Sequence, residues 1–453
     1  MTRKNLINLL WLVVVLFITS GCAGTEVGEE IGEIITTNNY KGDENYTNEE
    51  GSLNHYMKVE ADEKVDKTIA TSNYEESKVN TNKENILYHY FEAQIGEGTN
   101  DAMTMISAGV GRSFAIHSDG SLWAWGTNWK GGLGDGTTEN RCSPVKIMDD
   151  AIAVSAEWYR SWAIKSDGSL WGWGDISELI GEASDTYQPS PIKIMEDVVA
   201  ISSALNSSLV KKEDGNIWTV EYEPTKVMED VTAISVGGIN YTLAIRSDGS
   251  LWAWGSMAVE APPLDQSYYP NIFHIESPIK IMEDVIAVSI GGNRAMAITS
   301  DSALWGWGSG ILLEDGIKTT SFAPVRIMEN VVAVSAGLWY TMVIKNDGSL
   351  WAWGDNWFGQ LGDGTREYRI YPVKIMENVA SVSTRSWDGH FNPGWGWSVT
   401  HTLAVKNDGT LWAWGSNNYG QLGYCTADFF RYEDDGFVGE ISTIPHPVKI
   451  IGR

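Results

Sequence analysis

The six residues "SLWAWG" at Ser121–Gly126 return as "SLWGWG" at Ser169–Gly174, "SLWAWG" at Ser250–Gly255 and Ser349–Gly354, and "TLWAWG" at Thr410–Gly415. A phrase repeated at intervals means a chain built from copies of one supersecondary unit, none of which buries its apolar face alone. Two anchors recur around it in fixed order. An Asp-led turn falls at Asp119, Asp167, Asp214, Asp248, Asp301, Asp347 and Asp408. A proline before a "VKIM"-like run falls at Pro144, Pro191, Pro224, Pro278, Pro324, Pro372 and Pro447. That makes seven units. Most turns are 46 to 53 residues apart; Asp214 and Asp248 are only 34 apart, and the seventh unit carries extra loops.

Each unit reads as four short strands. The first is "AIAVSA" (Ala151–Ala156) or "VVAVSAG" (Val331–Gly337), and the second "SFAIHS" (Ser113–Ser118) or "TMVIKN" (Thr341–Asn346). The Trp phrase is the third and "PVKIM" the fourth. Asp-Gly supplies the positive φ angles of a tight hairpin, and β-branched and aromatic enrichment between turn signals supports strand. Four strands per unit at a period near 50 predict an all-β fold, a seven-bladed β-propeller of four-stranded blades over residues 103–453. The short links "EDV" and "ENV" leave the blade phase open, because the end of one unit could pair with the start of the next.

The units resemble the repeats of the regulator of chromosome condensation family, a seven-bladed propeller. In that pattern a turn and an aromatic-Trp-Gly strand precede an Asn-x-x-Gly-Gln-Leu-Gly loop. "DGSLWAWGDNWFGQLGDGT" (Asp347–Thr365) and "DGTLWAWGSNNYGQLG" (Asp408–Gly423) match nearly throughout, and "DGSLWAWGTNWKGGLGDGT" (Asp119–Thr137) has Gly132 for Gln. The likeness covers residues 103–451. Units two to five lack the Gly-Gln-Leu-Gly element, and unit three reads "DGNIWTVEYEP".

Residues 1–22 are a separate segment. Arg3 and Lys4 precede the apolar run Leu9–Ile18 and the small residues of "TSGC", the layout of a secretory signal. Ser20, Gly21 and Cys22 resemble the bacterial lipobox, with Thr19 in place of the usual aliphatic residue. The resemblance implies lipidation at Cys22 and an exported lipoprotein, anchored to the bacterial cell membrane and facing outward. Residues 23–102 are rich in Glu, Asn, Thr, Lys and Asp with few apolar clusters and predict a flexible acidic tether, in which Asn85–Ile95 is apolar enough for a short helix or docking.

Alternate residues of a strand face opposite sides, so Trp123 and Trp125 share one face of the third strand and Leu122 and Ala124 the other. Blades stack face to face, and bulky faces interlock with Ala and Gly faces. The repeated tryptophans are therefore scaffold. With 59 acidic against 32 basic residues and a net charge of −27, the chain lacks the basic stripe a nucleic-acid surface needs.

Strand alternation places the one–two and three–four loops on one face and the tight turns on the other, so variation in length and sequence gathers on a single face, where binding usually resides. Three aromatic groups stand there. The one–two loops carry Trp158 and Tyr159, Tyr241, and Trp339 and Tyr340. The seventh is expanded over Arg385–His401 with Trp387, Phe391, Trp395 and Trp397. The fourth three–four loop, Ser256–Glu276, holds Tyr268, Tyr269 and Phe273. Trp and Tyr dominate interface hot spots and also stack on sugars.

No metal spacing, nucleophile elbow or phosphate loop is present, so no catalytic residue, metal or cofactor is expected. His401 precedes "TLAV" where the family often has His-Ser/Thr-Leu and reads as a structural hydrogen-bonder. Acidic pairs such as Glu283–Asp284 read as solvated corners rather than calcium ligands. Cys142 and Cys425 lie in three–four loops of units one and seven, where they either stay free or staple the ring as a disulfide. The main reading is a monomeric protein- or glycan-binding module with an envelope or extracellular partner. An enzyme acting on cell-wall or extracellular polysaccharide, with Asp265 or Asp388 as its carboxylate, is the second; an envelope spacer is the third. The family resemblance implies a GTPase exchange activity in nuclear members, which export of this chain argues against, and β-lactamase binding through the loop face in some secreted bacterial members.

Overall fold

The computed structural model describes residues 56–59, 102–176, 179, 187–204, 207–238, 240–259, 271–387, 399–425, 431–433, 436–438 and 442–451. Seven four-stranded antiparallel sheets follow one another along the chain, each with its strands in sequence order. Blade 1 comprises Met103–Ala108, Arg112–His117, Leu122–Gly126 and Arg141–Met148. Blade 2 begins at Ala151, blade 3 at Val198, blade 4 at Val231, blade 5 at Val285 and blade 6 at Val331. Blade 7 comprises Val379–Trp387, Val399–Lys406, Leu411–Ser416 and Thr443–Ile451.

The phase left open by the sequence is thereby resolved. Every blade is one contiguous run, and no described strand crosses from blade 7 into blade 1. The two-residue links are not hairpins within a sheet. They pass beneath the Asp-led turns, as Ala151 N donating to Gly120 O shows, and carry the chain from one blade to the next. Their second residue takes a left-handed backbone at Asp150, Asp197, Asp230, Asp284, Asn330 and Asn378, a conformation Asp and Asn tolerate best after Gly. Beside five of these corners the strand-four lysine pairs with the acid three residues on, as in Lys193–Glu196 and Lys280–Glu283. The acidic pairs are corners, and among the described residues no cluster of His, Cys, Asp and Glu could hold a metal.

The first strands line the ring. In six of the seven a serine bonds to the next: Ser107 Oγ accepts from Ala156 N, Ser155 and Ser203 pair, Ser202 Oγ accepts from Val236 N, Ser289 Oγ from Ala336 N, Ser335 Oγ from Thr384 N, and Ser383 Oγ from Ala108 N. The last of these closes blade 7 on blade 1.

Within the Trp phrase the two indoles differ. Trp125, Trp173, Trp307, Trp353 and Trp414 are buried, each between its own blade and the one before. Trp173 packs on Phe114, Leu122 and Ala124 of blade 1, the large-against-small interlock expected. Trp123, Trp171 and Trp351 are only half-buried, contrary to the expectation that both sides of the blade are covered. Each caps its hairpin by donating its indole N–H to the serine after the Asp-Gly turn. Lys165 lies over the Trp171 ring and Lys345 over Trp351. These rings finish a hairpin end, where there is no further blade surface to cover them.

Tyr56–Val59 form one further strand, parallel to Ile272–Ile275 at the outer edge of blade 4. The signal segment, Cys22 and the rest of the acidic segment fall outside the described residues. No helix among the described residues is long and apolar enough to cross a membrane.

Candidate functional site

The antiparallel order puts the one–two and three–four loops on one face, as Thr127 N donating to Gly111 O and Asp175 N to Tyr159 O record. The geometry there starts from the Asn-x-x-Gly-Gln-Leu-Gly loop. Asn128 Oδ1 accepts from Leu133 N, and its amide donates to Asp135; Asn356 and Leu361 repeat the arrangement. The closed loop presses its leucine into the core and reaches over the next blade. Its first glycine has no room for a side chain: a Cβ on Gly131 would stand 2.5 Å from Pro189 Cα, and on Gly359 2.5 Å from Pro445 Cα. The carbonyl of the following residue then accepts the next blade's buried indole N–H, in Trp173 to Gly132, Trp414 to Gln360 and Trp125 to Gln421. Blade 4 lacks this loop, and there the Tyr241 hydroxyl takes the Trp307 indole instead, at 3.1 Å.

Tyr241 and Tyr340 are therefore corrected from loop residues to strand residues. Each opens a second strand, opposite the phrase's glycine, and both are buried. The site they occupy is a relay from blade to blade. Arg294 Nη2 donates to Gly337 O and Tyr340 O, the Tyr340 hydroxyl donates to His401 O, and His401 Nε2 meets Ser113 Oγ at 2.8 Å. Burial pushes the His401 pKa down to about 3 and the Tyr241 pKa up to about 12. His401 is thus a neutral structural hydrogen-bonder, as read from its sequence context. Neither tyrosine offers a ring to a partner.

Arg112 stands at the same position in blade 1 with a different surrounding. Blade 1 has Gly132 where the other two loops have Gln360 and Gln421, and the Arg112 guanidinium fills the space. A Cβ on Gly132 would lie 1.4 Å from Nη1. Nη2 donates to Trp158 O at 2.6 Å, while Nε and Nη1 are buried without a partner. Desolvation draws its pKa down to about 10, opposed by the nearby Tyr159 and Glu157.

The residue two after the first-strand serine is glycine in blades 1, 4, 5 and 6 (Gly109, Gly237, Gly291 and Gly337) and Ala204 in blade 3. In blade 2 it is Glu157 and in blade 7 Arg385, and these two form an ion pair that spans blade 1. The Glu157 side chain is buried, and desolvation raises its pKa against the lowering effects of Arg385 and Arg112. The Arg385 side chain keeps 26% of its surface exposed. The sequence reading passed over both. The signal was available in "AVSAEWY" set beside "AVSAGLWY", a charge at a position the other copies keep as glycine or, once, alanine.

Beside the pair lies an aromatic group. Trp158 and Tyr159 are half-buried with ring centroids 5.0 Å apart, and Trp129 meets Tyr159 edge-on at 4.4 Å. Lys130 Nζ sits 5.5 Å from the Trp129 ring and 5.1 Å from Tyr159, and it pairs with Asp175 at 2.6 Å. Trp129 and its blade 6 counterpart Trp357, 75% exposed, were not among the aromatic residues expected here. Both follow the loop asparagine directly, so they look like part of the repeat in sequence, although Trp357 stays largely exposed and Trp129 keeps 40% of its surface exposed. Trp339 is half-buried at the position equivalent to Tyr159. Tyr268, Tyr269, Phe391, Trp395, Trp397, Asp265 and Asp388 lie outside the described residues. So do the side chains of Phe273 and Trp387, whose backbones belong to the strands Asn271–Met282 and Val379–Trp387. Cys142 and Cys425 are joined as a disulfide, Cα atoms 5.1 Å apart, between the three–four loops of blades 1 and 7.

Residues 331–360 and 399–421 match one model of the regulator of chromosome condensation (RCC1) repeat, and residues 119–156 and 347–384 match a second. These stretches are the ones that carry the Gly-x-Leu-Gly loops and their neighbouring strands. No curated protein matches the sequence. Among solved structures, human WBSCR16 superposes with a TM-score of 0.53 at 19% identity, over 64% of this chain and 85% of that one. Yeast RCC1 (Prp20), solved bound to Kap60, gives 0.42 at 16% identity over 86% and 91%. The chain carries RCC1 repeats on a seven-bladed β-propeller.

Proposed function

We propose that the protein is an exported bacterial lipoprotein, anchored through Cys22, whose propeller binds an envelope or extracellular protein with its loop face. The observation that carries this reading is the group formed by Trp129, Lys130, Trp158 and Tyr159 beside the Glu157–Arg385 pair. Aromatic rings and arginines held on a rigid scaffold are the composition of interface hot spots, and the other five blades carry only glycine or, in blade 3, Ala204 where this pair stands. Binding rather than catalysis is the proposed role, because the buried ionisable groups of this face are engaged between blades. A glycan partner is the second reading. It is favoured by Trp357, whose exposed indole is of the kind on which a sugar ring stacks.

The test is capture from envelope extract by the mature full-length chain, alongside a variant with Trp129, Trp158 and Tyr159 changed to Ala and another with Trp387, Trp395 and Trp397 changed to Ala. Loss of the same captured protein in the first variant supports the reading. Equal recovery by all three removes the loop face as the site. Mass spectrometry that finds no lipid on Cys22 removes the anchor.

A further inference from the structure

We propose that the channel mouth over blades 7, 1 and 2 is a carboxylate-acceptor site for an acidic segment of a protein partner. In it, Arg385 takes the incoming carboxylate and Glu157 is the resident competitor. The inference rests on the reading that the loop face binds a protein, and it names the chemistry of that protein.

The first observation is the replacement of glycine by charge at both ends of one ion pair. Blades 4, 5 and 6 close with Gly237, Gly291 and Gly337 at this position, so neither Glu157 nor Arg385 is needed to build the ring. A buried ion pair is weak evidence of stabilisation, since desolvating two charges offsets most of their attraction. Its two residues also lie 228 positions apart, in blades that do not touch in sequence order.

The second is the local charge. Arg112, Lys130, Arg160 and Arg385 stand against Glu157 and Asp175 at this corner of a chain whose net charge is −27. Arg112 adds a guanidinium with two unpartnered nitrogens beneath the mouth. Arg112 is fully buried, so its charge is screened less than one on open surface.

The third is the shape of the donor. A guanidinium is a planar fork of five N–H donors suited to bidentate carboxylate binding. Glu157 engages Nη2, and a quarter of the side chain remains exposed. An incoming carboxylate therefore finds an arginine already oriented, and it competes with an internal group whose ionised form is disfavoured by burial. The rings favour peptide over sugar. Lys130 lies over Trp129 and Tyr159, and Trp129 meets Tyr159 at 77°, so the pair offers no open flat platform for a pyranose.

The experiment is calorimetric titration of the mature full-length chain with acetyl-tetraglutamate amide, acetyl-tetralysine amide and trigalacturonate, in wild type and in Arg385→Gln, Arg385→Lys and Glu157→Gln. Each variant is first checked by thermal unfolding. Expected are tetraglutamate binding by wild type, no tetralysine binding, and at least a tenfold loss in Arg385→Gln with a smaller loss in Arg385→Lys. Glu157→Gln should bind several-fold more tightly, because the competitor is gone. A pair that only holds the blades together predicts loss in both Arg385→Gln and Glu157→Gln, and that result overturns the proposal. So do trigalacturonate binding without tetraglutamate binding, and absence of tetraglutamate binding by wild type. If Glu157→Gln does not fold, the two Arg385 variants against wild type decide. Capture of the envelope partner that survives in Arg385→Gln would sink this proposal while leaving the loop-face reading intact.

Discussion

His401 Nε2 lies 2.8 Å from Ser113 Oγ, a fully buried contact that joins the second strand of blade 7 to that of blade 1. No strand is shared between these blades, so the seam rests on side chains and on the corner bond in which Met103 N donates to Gly409 O. His401, the Trp125 indole donating to Gln421 O, Ala108 N donating to Ser383 Oγ and the disulfide all cross it.

The His401 contact predicts an acid-sensitive ring. Its folded pKa is about 3 against 6.5 in the unfolded chain, so between these values the unfolded state binds the extra proton. Stability is lost as pH falls through 6.5, by about 2 kcal/mol between pH 7 and pH 5. Glu157 has the opposite sign, because its raised pKa makes its contribution fade as pH rises above the unfolded value. Chemical denaturation at pH 7 and pH 5 should show the loss in wild type, and His401→Asn should reduce it.

Reduction of Cys142–Cys425 should destabilise the propeller by about 4 kcal/mol, since the bridge closes a loop with a sequence separation of 283. Denaturant midpoints with and without reductant measure it. Hydrogen exchange should then rise first in blades 1 and 7; uniform change around the ring would show that the seam is no weaker than the other contacts.

The two indoles of the repeated phrase should separate in mutagenesis. Trp173→Ala removes a ring buried between blades 1 and 2 and should cost about 3–5 kcal/mol. Trp171→Ala removes only a hairpin cap and should cost about 1 kcal/mol. Paired thermal melts check the ranking.

Gly132 should tolerate no side chain while Arg112 is present. Gly132→Ala places a methyl group on the guanidinium and should cost about 1–3 kcal/mol. Changing Arg112 to Ser in the same chain should recover part of that loss, a coupling read from the double-mutant cycle.

The fold was legible in the sequence because its information is periodic: "SLWAWG", the Asp-led turn and the proline anchor fix strand number and order. The blade phase was not, since "EDV" serves a hairpin or a link between sheets equally well, and only the path beneath Gly120 distinguishes them. The face that carries the variable loops was readable from strand alternation. Which aromatics are exposed on it was not. Tyr241 and Tyr340 sit at loop ends in sequence, yet their rings turn inward to serve neighbouring blades. Trp129 and Trp357 sit inside a repeat motif, yet they project from it. Burial there is decided by the next blade, 61 and 66 residues away for Tyr340 and Tyr241, which no local pattern records. Glu157 and Arg385 were visible as departures from a glycine column, but their pairing across blade 1 follows only from the closed ring.

The most direct measurement of the central claim is hydrogen–deuterium exchange of the mature chain, free and in complex with the protein it captures. Slowed exchange in residues 127–131 and 157–159, with the Asp-Gly turns at 119–120 and 167–168 unchanged, is the predicted result. Protection confined to those turns would place the partner on the opposite face and contradict the account.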